Sequence, residues 1–413
     1  MPHAEPRPRF LAALAVIGPG LAMAATGVGA GDVVAASVAG ARYGVVILWA
    51  ALAGALAKYV LNEGVARWQL ATGTTLLEGW FQHLPRPVLV GFGGYLVLWS
   101  FMVAGAMMAA CGLAAHAMFP SVPVGVFGAW HAVVAAGLVL IGRYALFERL
   151  VKVFIALLVV TVVGSALLIR PDVGAVMTGL AVPSVPAGAG PFLLGVIGGV
   201  GGSVTLLSYS YWMRERGWDG PTLVTQVRLD LRVAYGLTGV FGVAIMVLAA
   251  QAQPDQVTGA AMALELARQI GQGGGAFGQS LFLVGFWGAV FTSMLGVWQG
   301  VPYLFADFVR LWRGPEAAAP STTSAAYRLA LLFLAGPPMV LLLADRPVWI
   351  VVIYSVAGAF FMPFLAGTLL YLNTQARLGA LRSRWGTNAL LVAALVLFGY
   401  LCVAELVERL GGG

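Results

Sequence analysis

The chain has 413 residues, of which 60% are hydrophobic and only 9% charged, and its mean hydropathy is +0.91. That profile excludes a soluble domain and gives no footing for nucleic acid; it is the profile of an all-α protein that crosses the bilayer many times. The net charge of +7 is what loops rich in arginine on one side of a membrane produce, and Cys111 and Cys402, both in apolar segments, form no disulfide framework or CxxC metal motif.

In chain order, the hydropathy pattern predicts about eleven spans, each near the ~20 residues that cross the hydrocarbon. The first runs 10–38. Its apolar run is too long for a signal peptide, although Arg7 and Arg9 precede it. It contains Gly27-Val28-Gly29-Ala30-Gly31-Asp32. Alternate glycines weaken a helix, and a carboxylate is costly in lipid, so the stretch predicts a broken helix at 27–32 that lines a cavity. Spans follow at 44–66, 88–118, 124–142 and 149–169, the last stopped by Arg170-Pro171. The sixth, 190–213, carries a second glycine cluster, Gly198-Gly199-Val200-Gly201-Gly202-Ser203. The remainder are 232–252, 278–306, 327–344, 347–372 and 387–407.

With the N-terminus inside, most basic residues fall on cytoplasmic segments, among them Arg67, Arg86, Arg143, Lys152, Arg214, Arg228, Arg310 and Arg377. Arg42, Arg170, Arg268, Arg346 and Arg409 fall outside. This asymmetry fixes the expected topology.

The two glycine-broken spans lie five helices apart, so an odd repeat length inverts the second half relative to the first. Interrupted helices at corresponding positions of inverted repeats point to an alternating-access transporter with its site at the breaks. The chain is expected to form one membrane domain, 1–413, with repeats at 10–169 and 190–372 and an additional helix at 387–407.

Asp32 is the only aspartate read as deep in a span; Asp230, Asp307 and the others are placed in loops or near membrane edges. A carboxylate, carbonyls from unwound turns (Gly29, Gly31, Gly202) and the hydroxyls of Ser203 and Thr205 make a set of hard oxygen donors for a cation, with Asp32 and Thr205 as the candidate metal ligands. The alternative for the hydroxyls is bonding back to their own helix. Lys58 and Glu63 are the other charges of the second span. Glu63 and Arg67, four apart, share a helix face and are expected to pair in a structural or gating role, for which Tyr209 of the sixth span is a further candidate. His116 and His131 read as interfacial polar groups, and Trp49, Trp80, Trp130, Trp218, Trp312 and Trp385 as an aromatic belt at span ends.

Several stretches resemble the Nramp family of divalent metal transporters. Gly18-Pro19-Gly20 opens the first span as in that family, Ala39-Gly40-Ala41-Arg42-Tyr43-Gly44 matches its first extracellular turn, and Asn62-Glu63-Gly64-Val65-Ala66-Arg67 resembles the end of its second span. Gly195-Val196-Ile197-Gly198 resembles the entry to the sixth, and Trp298-Gln299-Gly300 lies where the eighth carries a glycine-glutamine pair. The resemblance implies a LeuT-like fold of 5+5 inverted repeats.

The departures fall on the chemistry. The family's Asp-Pro-Gly-Asn motif aligns with Gly29-Ala30-Gly31-Asp32, so the carboxylate is displaced by three residues. Its Met-Pro-His-Asn motif falls on Gly202-Ser203-Val204-Thr205 or, shifted, on Thr205-Leu206-Leu207-Ser208. Neither register keeps the methionine, whose soft sulfur favours manganese or iron. The third span, Val103-Ala104-Gly105-Ala106-Met107-Met108, lacks the acidic residues of the family's proton path. The resemblance therefore implies a carrier of a divalent cation, magnesium rather than manganese, without proton coupling.

The alternatives are a sodium-coupled symporter of a small organic solute, a GxGD intramembrane protease and a sensor. The protease reading rests on Gly29 to Asp32 and lacks a second aspartate for the catalytic dyad. The expected partners are the lipid bilayer and a small ion, with no resident cofactor and the chain a monomer. The expected location is a bacterial inner membrane.

Overall fold

The computed structural model describes residues 18–199, 203–251, 261–314, 319–344 and 347–411. No strand occurs among them. The elements are α1 (Pro19–Gly27), α2 (Ala30–Tyr43), α3 (Trp49–Thr72), α4 (Leu76–His83), α5 (Arg86–Met118) and α6 (Val124–Leu158), which continues through a π turn (Val159–Val163) into α7 (Gly164–Leu168). Then come α8 (Val173–Ala181), α9 (Gly190–Gly199), α10 (Ser208–Glu215), α11 (Val224–Ala249), α12 (Ala261–Arg313), α13 (Ala325–Ala335), α14 (Pro347–Asn373) and α15 (Trp385–Gly411).

The helical pattern follows the hydropathy reading, with differences at the joints. The second helix begins at Trp49 instead of residue 44, because 44–48 form turns led by Gly44 at φ 63°. The connection placed at 143–148 is itself helical within α6, and Val124–Gly142 and Tyr144–Leu168 are each long and apolar enough to span a bilayer. So are Arg86–Met118, Pro221–Ala249, Gln279–Arg313 and Ala325–Ala344. α12 is kinked at Gly275, whose backbone is non-helical.

Burial runs opposite to a soluble protein. Ile141, Leu168 and Leu343 are each at least 80% exposed, as suits a surface in contact with lipid. The interior is built from small residues: Ala104, Ala106, Ala109, Ala110 and Ala114 of α5 are all buried. Without a hydrophobic drive between helices in lipid, such residues hold the bundle by letting backbones approach closely. At one end Trp80 packs edge-on to Phe92 and Phe364, with centroids 4.9 Å away in both pairs. Trp80 and Trp218 are buried and so are not part of an aromatic belt, whereas Trp130, Trp312 and Trp385 are exposed.

At the centre, α9 packs along α2, while the 3-10 turn Val204–Leu207 packs against α1. The two interrupted helices therefore run in opposite directions beside each other. α3 and α11 flank them and α12 closes the far side of α1.

Candidate functional site

The first break is narrower than the sequence suggests. α1 ends at Gly27, and Val28 leaves helical space at φ −92°, ψ 70°. Gly29 then starts α2, its carbonyl accepting from Val33 N at 3.1 Å. Gly31 and Asp32 lie in the first turn of α2, and the Asp32 side chain is outside the described residues.

A helix that stops in the membrane leaves carbonyls without helical donors. Thr26 O is satisfied by the Ser293 hydroxyl of α12 at 2.8 Å. The same hydroxyl lies against Gly29, where a Cβ would come within 2.5 Å of it. The glycine is needed for that contact.

The second break follows α9. Gly202 lies outside the described residues. Ser203 is non-helical at φ −130°, ψ −103°, and the 3-10 turn Val204–Leu207 carries the chain into α10. Ser203, Thr205 and Ser208 are all buried. Among the described residues, Ser203 Oγ and Ser208 Oγ have no hydrogen-bond partner. Their expected return bonds to their own helix are not made, which leaves hydroxyl oxygens for a ligand or water.

The carbonyl end of α9 is held by a charge. Lys58 Nζ donates to Gly198 O at 2.9 Å, and Lys58 is completely buried. Gly54, one turn earlier, lets α3 lie on the backbone of Ile197, where a Cβ would sit only 3.0 Å from Ile197 Cα. The sequence marks Lys58 only as a second charge of the span that holds Glu63, and assigns it no role. In the structure Lys58 lies five residues, more than one turn, before Glu63 and reaches Gly198 at the break, while Glu63 pairs with Arg67.

At the far end of α1, α10 is gripped on all sides. Tyr209 OH donates to Asp230 Oδ2 at 2.8 Å, and Asp230 also accepts from Gly18 N (3.0 Å) and Gly20 N (2.6 Å). Tyr211 OH donates to Asp307 Oδ2 at 2.7 Å. Trp212 donates to Gln299, and Tyr303 to Glu215. Glu78 pairs with Arg214 (2.8 Å) and Arg310, and Arg310 Nε donates to Asp307 Oδ1 at 2.8 Å. Asp230 and Asp307 are fully buried inside helices and are not loop residues. Short-range hydropathy does not register them, because their partners are far away in sequence.

Glu63 and Arg67 pair as expected at 2.7 Å, and Arg228 of α11 joins at 2.9 Å. His131 is buried instead of interfacial: its Nε2 accepts from Trp287 Nε1 at 2.8 Å, so Nδ1 carries the proton toward Phe127 O at 2.7 Å. Among the described residues no cluster of three or more His, Cys, Asp or Glu forms a metal centre.

Two oppositely directed, interrupted helices, with carbonyl ends and bare hydroxyls meeting inside a lipid-facing bundle, define a multi-pass transporter and not an enzyme. The chain belongs to the Nramp family: the natural resistance-associated macrophage protein-like model matches residues 20–408. An uncharacterized protein of Pasteurella multocida is 23% identical over 344 residues, covering 77% of this chain and 76% of that protein. Crystal structures of the Eremococcus coleocola manganese transporter, in variant form, share the fold at TM-score 0.77 and 16% identity, covering all of this chain and 90% of theirs. MhsT in complex with L-phenylalanine is similar at TM-score 0.50 and 14% identity, covering 92% of this chain and 98% of that one. The fold is thus LeuT-like.

Proposed function

We propose that the chain carries a divalent cation across a bacterial inner membrane by alternating access, as a monomer with its N-terminus cytoplasmic. The ion is held between the two breaks by Asp32, the backbone at Gly29, Gly31 and Gly202, and the hydroxyls of Ser203 and Thr205. The carrying observation is the pairing of the breaks, with buried hydroxyls at the second that make no protein hydrogen bond.

The donor set is all oxygen. No methionine stands at the second break, so a soft ion loses its preferred ligand and a harder, partly hydrated ion such as magnesium is favoured over manganese. α5 offers no carboxylate between Val103 and Ala110 to relay a proton, which supports movement without proton coupling. In this reading the Asp230, Asp307 and Glu63 clusters close the cytoplasmic side. In the same reading the chain is one membrane domain of two inverted repeats, 10–169 and 190–372, with an additional helix at 387–407.

The test is uptake of magnesium and manganese into liposomes holding purified wild type or Asp32→Ala, with internal pH recorded. Magnesium uptake without acidification, lost in the variant, is expected. Manganese uptake with acidification, lost in Asp32→Ala, sinks the selectivity and coupling reading. Sodium-dependent uptake of an amino acid in place of any divalent ion favours the solute-symporter reading, for which the likeness to MhsT is the one supporting observation.

A further inference from the structure

The carbonyl ends of the two first half-helices are closed in different ways. α1 is closed by a neutral hydroxyl, Ser293 on Thr26 O at 2.8 Å. α9 is closed by a cation, Lys58 on Gly198 O at 2.9 Å. In transporters built on paired broken helices, half-helix carbonyl ends and unwound carbonyls are where a coupling cation is held. A helix C-terminus carries about half a negative charge, and in a low-dielectric interior a cation is drawn there strongly.

Three further observations place Lys58 by design of the fold. It is completely buried, with residues 60–70 of the same helix all buried after it, so the ammonium cannot reach water by extending along the helix. The close backbone approach at Gly54 and Ile197 sets its distance from Gly198. α2, which carries Asp32 in its first turn, packs along the same half-helix.

We infer that Lys58 is a built-in monovalent cation: its ammonium occupies the carbonyl end of α9 in place of a dissociable coupling ion, so that substrate movement needs no sodium gradient. The inference rests on the transport reading for its functional half, and on geometry alone for its binding half.

Both halves can be separated. For binding, thermal unfolding of purified protein is followed while sodium or methylammonium chloride replaces N-methylglucamine chloride at constant ionic strength. Wild type is expected to be indifferent. Lys58→Ala, which opens the carbonyl end, is expected to gain about 5 °C over a hundredfold rise in either small cation, because a ligand bound only by the folded state stabilises it.

For function, Lys58→Gln keeps an N–H for Gly198 O but removes the charge. Its divalent uptake is expected to fall at least about tenfold without a small monovalent cation and to recover with one, a factor that corresponds to a single lost interaction. Wild-type uptake or unfolding that rises with sodium overturns the inference, and this arm decides even if no variant folds. So does Lys58→Gln transporting like wild type in N-methylglucamine, which would reduce Lys58 to a hydrogen-bond donor. Absence of any divalent uptake by wild type defeats the transport reading instead, while the unfolding arm still decides whether a cation site lies under Lys58.

Discussion

The Tyr209 hydroxyl donates to Asp230 at 2.8 Å, and through that one carboxylate two segments nearly two hundred residues apart in sequence, α10 and the start of α1, are fastened to α11. The carboxylate also serves as the N-cap that α1 lacks, since Gly18 offers no side chain to its own helix. Its removal acts on three elements together.

Tyr209→Phe deletes one donor and leaves Asp230 with two, so it is expected to lower unfolding free energy by about 1 kcal/mol. Asp230→Ala strands the Gly18 and Gly20 N–H groups and the Tyr209 hydroxyl, and is expected to cost about 3 kcal/mol or more. Thermal unfolding in detergent ranks the two. Equal effects would show that Asp230 does not hold α1.

Glu63 balances two arginines, Arg67 at 2.7 Å and Arg228 at 2.9 Å. Glu63→Gln leaves buried Arg67 without its counter-charge and is expected to cost about 3–5 kcal/mol. Glu63→Gln combined with Arg67→Met is expected to be milder than Glu63→Gln alone, since the orphaned charge goes too. A strictly additive double-mutant cycle would contradict the pairing.

Glu78 answers to pH. Burial pushes its carboxyl up, but Arg214, the Thr75 N–H and Arg310 outweigh burial and hold it below the ordinary value of 4.5. A carboxylate favoured by the fold adds stability that is fully present above the unfolded value and lost as pH falls through the lowered folded value. Wild-type unfolding temperature is therefore expected to drop on acidification below about pH 4.5 more steeply than that of Glu78→Gln. Parallel curves would remove Glu78 from the network that joins α4, α10 and α12.

At the second break, Ser203→Ala and Thr205→Val are expected to weaken divalent-ion binding by about tenfold each, the worth of one oxygen ligand, with little change in unfolding temperature. Calorimetric titration separates the effects. Loss of stability without loss of affinity would make these hydroxyls structural.

The helical architecture was legible because hydropathy and glycine placement are local: the first break is written in Gly27 to Gly31, and the spans in their lengths. The pairing of Glu63 with Arg67 was legible for the same reason, being one turn apart. What escaped was long-range. Asp230 looks like a helix-end aspartate until Gly18, Gly20 and Tyr209 converge on it. Trp80 looks interfacial until Phe92 and Phe364 enclose it. Lys58 gains its meaning only when α3 is laid on α9, and nothing between residues 49 and 72 says that Gly198 will be there.

The Lys58 ammonium is bonded to the chain, so it makes no journey through the bilayer's electric field with the substrate. A doubly charged ion carried past it would then transfer two charges per cycle with nothing returning. At about 2.3 kcal/mol per charge per 100 mV, an interior-negative voltage of that size supplies roughly 4.6 kcal/mol, enough for an inward accumulation of about a thousandfold at 1.4 kcal/mol per decade. On the proposed reading, a fixed amine in helix α3 would leave the driving force electrical, and solid-supported-membrane currents would record it directly.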